Sequence, residues 1–189
     1  YREDFAAKDL SALLSPLRWR DVPQRGIPLP EGTDKIGLWL RSERPYFGYN
    51  VRARFRDASG DYHSVKLGGL GIASWTYLEV SLPDDVSEQS PLTLVGLYFT
   101  GGLFLGLGQG SVAIDDVTAV VKGDQVVLEG FESQNQWALL PNLGLVRDSI
   151  KYESSSAYSG NMGLTFSWTE PIVESPRGLF ISSHPMLIP

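Results

Sequence analysis

After the first 35 residues, apolar and polar side chains alternate along the chain with a period of two. Residues 36–41 alternate Ile, Leu and Leu with Gly, Trp and Arg, and residues 51–56 alternate Val, Ala and Phe with three arginines. This period is typical of β-strands that bury one face and expose the other. Both segments therefore predict half-buried strands.

Further segments with strand character follow, and turn-forming residues separate them. They predict strands at 62–67, 75–82, 92–100, 111–121, 125–131 and 164–168. Only residues 5–14 have helical spacing of apolar positions, with Asp4 as a cap, and Pro16 ends that segment. About eight to ten short strands with one short N-terminal helix predict an all-β fold, an antiparallel β-sandwich of jelly-roll type.

Composition narrows the function classes. The chain has 189 residues, 20 of them Gly and 12 Pro, which is enough for one domain with many turns. It has no cysteine, which excludes disulfides and Cys-ligated metals. Its formal net charge of −6 argues against nucleic acid as a partner.

The chain divides into two parts on this pattern. Residues 1–122 predict a jelly-roll β-sandwich with a helical and extended lead-in. Residues 123–189 supply additional strands that complete this sandwich or belong to a partial second unit. The segment 36–40, IGLWL, resembles MGLTF at 162–166, an offset of about one domain. Two ordinary strands are the plainer interpretation of this resemblance, and a partial repeat is the alternative.

No catalytic constellation stands out in the sequence. The two histidines, His63 and His184, are far apart, and no paired-His spacing typical of zinc sites exists. There is no G-x-S-x-G motif, and the glycine-rich segment 106–110 precedes a strand rather than a helix, unlike a phosphate loop. These absences favour a non-catalytic protein.

Aromatic side chains are the first candidates for binding. Candidates for carbohydrate or partner binding are Trp39, which faces the side opposite the predicted core, and the tip residue Phe104. The alternative for Trp39 is ordinary packing in the core or on the sheet, which is the commoner role of such rings. The cluster in the segment ERPYFGYN is predicted to be an exposed loop, because loops lie on the surface. Its aromatic members are Tyr46, Phe47 and Tyr49.

Charged side chains supply two more candidates. Arg52 and Arg54 lie on one strand face, where they bind an anionic ligand or pair with acidic neighbours such as Glu79. Asp115 and Asp116 are adjacent, so on a regular strand they point to opposite faces. A buried carboxylate needs hydrogen bonds or a cation. Structural calcium is therefore a hypothesis, with oxygen ligands drawn from Asp115, Asp116, Glu129 and Glu132; otherwise the aspartate caps turn amides.

The segments between residues 36 and 119 resemble, in their order, the galactose-binding-like jelly roll of many carbohydrate-binding modules. The matching parts are IGLWLRS, VRARFRDASGDYHSV, WTYLEVSLP, LTLVGLYFTG and GSVAIDDVTA, while LEGFES and SGNMGLTFSW resemble the first strands of such modules. The resemblance implies calcium between a first-strand carboxylate and the closing Asp-Asp pair, at the four positions named above. In the family the first strand precedes the closing strand, whereas here it follows.

The C-terminal segment PRGLFISSHPMLIP is similar to the extracytoplasmic region of bacterial FtsX-like ABC transporter permeases. This similarity implies an extracytoplasmic domain, at the cell surface or facing the periplasm, of a larger membrane-anchored protein. The leading hypothesis is a non-catalytic domain that binds a glycan or another protein domain. One alternative is a carbohydrate-binding module of a secreted glycan-active enzyme, and another is a β-sandwich polysaccharide lyase or hydrolase.

Overall fold

The computed structural model describes residues 25–101, 109–133, 137–139, 149–168 and 177–181. These residues form strands with one helical turn, α1 (Asp84–Ser87), and a 3₁₀ helix (Ser154–Ser156). The strands are β1 (Ile27–Pro28), β2 (Thr33–Ser42), β3 (Tyr46–Arg56), β4 (Tyr62–Leu70), β5 (Thr76–Ser81), β6 (Thr93–Gly101), β7 (Gly110–Val121), β8 (Asp124–Glu129), β9 (Trp137–Leu139), β10 (Ser149–Glu153), β11 (Gly163–Trp168) and β12 (Arg177–Ile181). The helix predicted at 5–14 lies outside the described residues.

The strands assemble into two antiparallel sheets. Sheet 1 has the order β4-β3-β6-β12-β9, and β1 also pairs with β6. Sheet 2 has the order β10-β11-β7-β2-β5, and β8 also pairs with β7. This arrangement confirms the predicted all-β sandwich. None of the helices among the described residues is long and apolar enough to cross a membrane.

The core lies between the two sheets and follows the predicted alternation. Ile36, Leu38 and Leu40 of β2 are fully buried, and so are the alternating apolar residues of β3. Phe99 of sheet 1 stacks on Phe166 of sheet 2 with ring centroids 4.9 Å apart. Burial of these side chains from both sheets provides the main stabilisation of a sandwich of this kind.

A bulge at the start of β3 overturns the prediction of an exposed aromatic loop. Tyr46 pairs with Leu70, but the next paired residue is Asn50, so three residues bulge out of the ladder. This turns the rings of Tyr46 and Tyr49 into the core, where both contact the ring of Trp168. Only Phe47 of the three aromatics is exposed, at 65%.

Strands that follow residue 122 pair with strands that precede it. β8 and β11 both pair with β7, and β12 pairs with β6. Both sheets therefore contain strands from the early and the late part of the chain.

Candidate functional site

Aromatic side chains gather on the outer face of sheet 2, and we call Trp39, Trp75, Tyr77 and Tyr158 the aromatic shelf. Tyr158 stacks on Trp39 with ring centroids 3.6 Å apart and planes at 15°. Trp75 meets Tyr158 edge-on at 5.8 Å, and Tyr77 lies 5.5 Å from Trp39. Tyr158 keeps 44% of its surface exposed, so the shelf presents an aromatic ring to solvent.

Tyr158 reaches the shelf because the loop at residues 157–162 is held down by carboxylates. Asp115 Oδ2 accepts hydrogen bonds from the backbone N–H groups of Tyr158 at 2.7 Å and Ser159 at 3.0 Å. Its other oxygen accepts from the N–H of Asp116 at 2.8 Å. Burial raises the pKa of Asp115, and the three backbone donors oppose this shift.

Two further carboxylates hold the same loop. Asp116 Oδ2 accepts a hydrogen bond from the Ser159 hydroxyl at 2.7 Å. Glu132 Oε1 accepts from the backbone N–H groups of Asn161 at 2.7 Å and Met162 at 3.2 Å, and these bonds lower the pKa of Glu132. Three carboxylates, two from β7 and one that follows β8, therefore fix one loop.

The prediction that Asp115 and Asp116 point to opposite faces is wrong. Gly37 of β2 pairs with Thr118, but Trp39 pairs with Asp115, so β7 bulges between them. Asp116 has a φ of 40°, a left-handed conformation that Asp tolerates better than most residues. The bulge lets both carboxylates reach Ser159.

A pocket of about 350 Å³ adjoins the shelf, and we call it the polar pocket. Arg41 connects the two, because it lines the pocket and its guanidinium lies 5.1 Å from the centre of the Trp75 ring. One guanidinium nitrogen donates to the backbone carbonyl of Ser155 at 2.8 Å. The remaining lining is mainly polar: Ser42, Glu43, Ala73, Ser111, Ala113, Glu153, Ser155, Ser156 and Thr165.

The polar pocket contains two carboxylates, and each accepts its hydrogen bonds on one oxygen only. Glu153 Oε1 accepts hydrogen bonds from the hydroxyls of Ser156 at 3.3 Å and Thr165 at 2.8 Å. Glu43 Oε2 accepts from the hydroxyls of Tyr46 at 3.4 Å and Ser111 at 3.2 Å. Among the described residues, no donor bonds to the second oxygen of either carboxylate. These oxygens can accept hydrogen bonds from a hydroxyl-bearing ligand.

The other aromatic residues predicted for binding lie apart from the shelf, with one link. The buried hydroxyl of Tyr46 accepts from the backbone N–H of Ser111 at 3.1 Å and so supports the pocket wall from inside. Burial raises the pKa of this phenol. Tyr49 is a core residue, Phe47 protrudes from the β3 bulge, and Phe104 lies outside the described residues.

Arg52 and Arg54 lie on the outer face of sheet 1, away from the shelf. Arg52 donates from Nε to the Tyr98 hydroxyl at 2.9 Å, and the Arg54 guanidinium lies 4.9 Å over the Tyr62 ring. Pairing with Glu79 was predicted and is wrong, because Glu79 belongs to sheet 2 and binds Lys35 at 2.9 Å. Cross-strand tyrosines take the place of the expected acidic neighbour.

The four predicted calcium ligands bond to donors of the protein itself. Glu129 is buried; its Oε1 accepts from the backbone N–H of Phe131 at 2.7 Å and its Oε2 from Trp137 Nε1 at 3.2 Å. Within the described part of the chain, no three His, Asp or Glu side chains come together as a metal site. In this conformation the four side chains do not form a calcium site. Calcium binding stays a prediction.

Sequence reasoning missed Tyr158, Glu43 and Glu153. Tyr158 follows a polar segment, SSSA, and no periodicity marks its ring as a partner of Trp39. The available signal was Trp39 itself. A large aromatic ring on the outer face of a strand is stabilised when another side chain packs over it. The pocket glutamates come from elements separated by more than 100 residues, which no local pattern can join.

A second pocket, of about 580 Å³, lies at the opposite end of β2, between the β1–β2 turn and α1. Its lining has acidic residues such as Asp34 and Asp84 but neither an aromatic nor a cationic side chain. It therefore lacks the guanidinium that lines the polar pocket and the aromatic shelf that adjoins it.

Comparison with protein-family models, curated proteins and solved structures found no match for this chain. The jelly-roll type and the relationships to carbohydrate-binding modules and FtsX-like permeases therefore stay predictions from the sequence.

Proposed function

We propose that this chain is a non-catalytic, extracytoplasmic binding domain of a larger membrane-associated protein, and that the aromatic shelf and polar pocket bind carbohydrate. The observation that carries the proposal is the exposed Tyr158 ring beside a pocket lined with carboxylates, hydroxyls and a guanidinium.

The chemistry of the two surfaces fits a sugar ring. A pyranose has an apolar face of C–H groups that packs on an aromatic ring, and hydroxyls around its edge that need hydrogen-bond partners. Tyr158 and Trp75 supply the aromatic surface. Glu43 and Glu153 supply acceptors, and Arg41 supplies donors. Because the loop is fixed before binding, little ordering cost is added when the ligand binds.

Screening on a glycan array followed by calorimetry tests this function. We expect wild-type protein to bind at least one glycan, and Tyr158→Ala to weaken that binding about tenfold or more, a loss of about 1.4 kcal/mol. Tyr158→Phe keeps the ring and should bind like wild type. Glu153→Gln keeps the shape of the pocket and should weaken binding by a smaller factor, because one acceptor becomes a donor.

Phe47→Ala is the matched control, since it removes an exposed aromatic ring that lies outside the shelf. Each variant is first checked for an unchanged thermal midpoint. Absence of binding to every arrayed glycan contradicts the carbohydrate proposal, and so does binding that Tyr158→Ala leaves intact.

Membership of a transporter permease rests on the sequence resemblance of the C-terminal segment, and the full-length reading frame tests it through the segments that flank this chain. A protein-binding domain is the second candidate, favoured by the exposed Phe47 on its bulge. The lyase alternative has less support. A lyase needs a base in its groove, and His63 of β4 lies in sheet 1 rather than at the polar pocket, with Nε2 2.6 Å from the carboxylate of Asp57.

A further inference from the structure

Sheet 2 has a step along one side of β7. β11 pairs with residues 110–114 of β7, and β8 pairs with residues 117–121, so β8 and β11 lie end to end on the same flank. β10 continues the sheet beyond β11, but among the described residues no strand continues it beyond β8. In the described part of the chain, the row that β10 occupies therefore holds no strand at this end of the sheet.

The hairpin turn determines which backbone groups of β8 face the empty row. Lys122 and Gly123 have φ angles of 54° and 93° and form a two-residue turn between the paired residues Val121 and Asp124. Because hydrogen-bonded and non-bonded pairs alternate from such a turn, Asp124 and Val126 bond to β7. The N–H and C=O groups of Gln125 and Val127 then point away from β7.

The middle of this edge is apolar and carries neither of two common protective residues, and a bulge at Leu128 interrupts its pairing only near the far end. Val126 is 40% exposed and Val127 is 58% exposed, one on each face of the strand. Edge strands are commonly protected by a lysine or proline, and the edge strand β10 carries an exposed Lys151. Residues 124–129 contain neither residue type.

The charges around the edge select the kind of strand that fits it. Asp124 is exposed at one end of β8, and Lys122 of the turn is the exposed charge nearest to it in sequence. At the other end, the Asp116 carboxylate and the Val127 side chain both lie close to Gly130, so an acidic group also borders this end. A second copy of the chain would bring another net charge of −6. A strand with basic ends would instead meet carboxylates at both ends.

We propose that the free edge of β8 binds an extended segment of a different polypeptide, in which alternating apolar residues are flanked by Lys or Arg. The segment adds a strand to sheet 2 through the backbone of Gln125 and Val127 and covers Val126 and Val127. This surface is separate from the shelf, and the proposal does not depend on carbohydrate binding.

An NMR titration with the heptapeptide Lys-Thr-Val-Thr-Val-Thr-Lys, blocked at both ends, tests the proposal. We expect the amide signals of Gln125 and Val127 to shift most. The glutamate-flanked version of the peptide should bind at least tenfold more weakly, and added salt should reduce the difference. Val127→Pro removes an outward N–H but no bond to β7, so it should abolish binding and preserve the fold.

Val127→Lys provides a second variant with an unaltered backbone, and it should repel the basic peptide. Phe47→Lys makes the same charge change at an exposed apolar residue elsewhere and should bind like wild type. Unperturbed Gln125 and Val127 signals at millimolar peptide would overturn the proposal. So would equal binding of the two peptides, or self-association of the protein through β8, which would make a second copy the occupant.

Discussion

Asp115 holds the loop at 157–162 by accepting three backbone hydrogen bonds on two oxygens. A carboxylate can do this because it only accepts, whereas an asparagine amide has a single accepting oxygen. The side chain is fully buried, so a donor left facing the amide nitrogen cannot turn to water without moving the loop.

We therefore expect Asp115→Asn to lower the free energy of unfolding by roughly 1–3 kcal/mol, the cost of leaving a buried polar group unsatisfied. Because the loop carries Tyr158, the variant should also weaken the stack on Trp39 and change the near-ultraviolet circular dichroism of the aromatic shelf. Urea unfolding and the dichroism spectrum measure the two effects.

Asp116→Asn is the control for this effect. Asp116 accepts one side-chain hydrogen bond, from Ser159, and an amide oxygen can keep that bond and the left-handed backbone. Its loss of stability should be well below that of Asp115→Asn. Equal losses in the two variants would contradict the assigned role of Asp115.

The β3–β4 hairpin contains a carboxylate, Asp57, that bonds to three neighbours within the same hairpin. Asp57 accepts from the Ser59 hydroxyl at 2.6 Å and from the backbone N–H of Asp61 at 2.9 Å, and it lies 2.6 Å from His63 Nε2. The hydrogen bond with His63 and then that of Ser59 hold the pKa of Asp57 far below its usual range.

The low pKa of Asp57 gives a pH prediction with a defined sign. A carboxyl whose pKa is lower in the folded state stabilises the fold above its unfolded pKa, about 3.9, and loses this contribution as the pH falls toward the folded pKa. Asp57→Asn should therefore lower the thermal midpoint at pH 7, and the gap to wild type should narrow as the pH falls below about 4. Melting curves from pH 7 to pH 3 measure the gap.

The exposed Asp85 of α1 offers a matched substitution, Asp85→Asn, that removes one carboxylate outside the hairpin. Its difference from wild type should stay small at every pH. A constant gap between Asp57→Asn and wild type down to pH 3 would show that Asp57 contributes through shape and not through its charge.

At the scale of the whole molecule, the period-two pattern was enough to predict the sandwich and the burial of one face of β2 and β3. Its failures occur at bulges. In β3 and β7, extra residues shift the register, and a shift of one residue moves a side chain to the other face. The core position of Tyr49 and the shared direction of Asp115 and Asp116 both follow from such shifts.

The candidate site was only partly accessible to sequence reasoning for a second physical reason. Trp39 was recognised because the alternation along β2 places this large aromatic ring on the face opposite the core. Tyr158 stands in a loop, and its position depends on carboxylates more than 25 residues away in sequence, at Asp115 and Glu132. Contacts of this range are set by the packing of the sheets and leave no local pattern.

The calcium hypothesis can be decided on the whole molecule by comparing melts with excess calcium and with a chelator. An ion that binds only the folded protein raises its stability by mass action. Here the oxygens of Asp115, Glu129 and Glu132 already accept hydrogen bonds from protein N–H groups, which an ion would have to displace. We therefore expect the two midpoints to agree within about 1 °C, a shift smaller than that of an occupied site. A midpoint that rises with calcium, and that Glu132→Gln returns to the chelator value, would instead establish a cation site at the loop and would require the amides of Asn161 and Met162 to turn away from it.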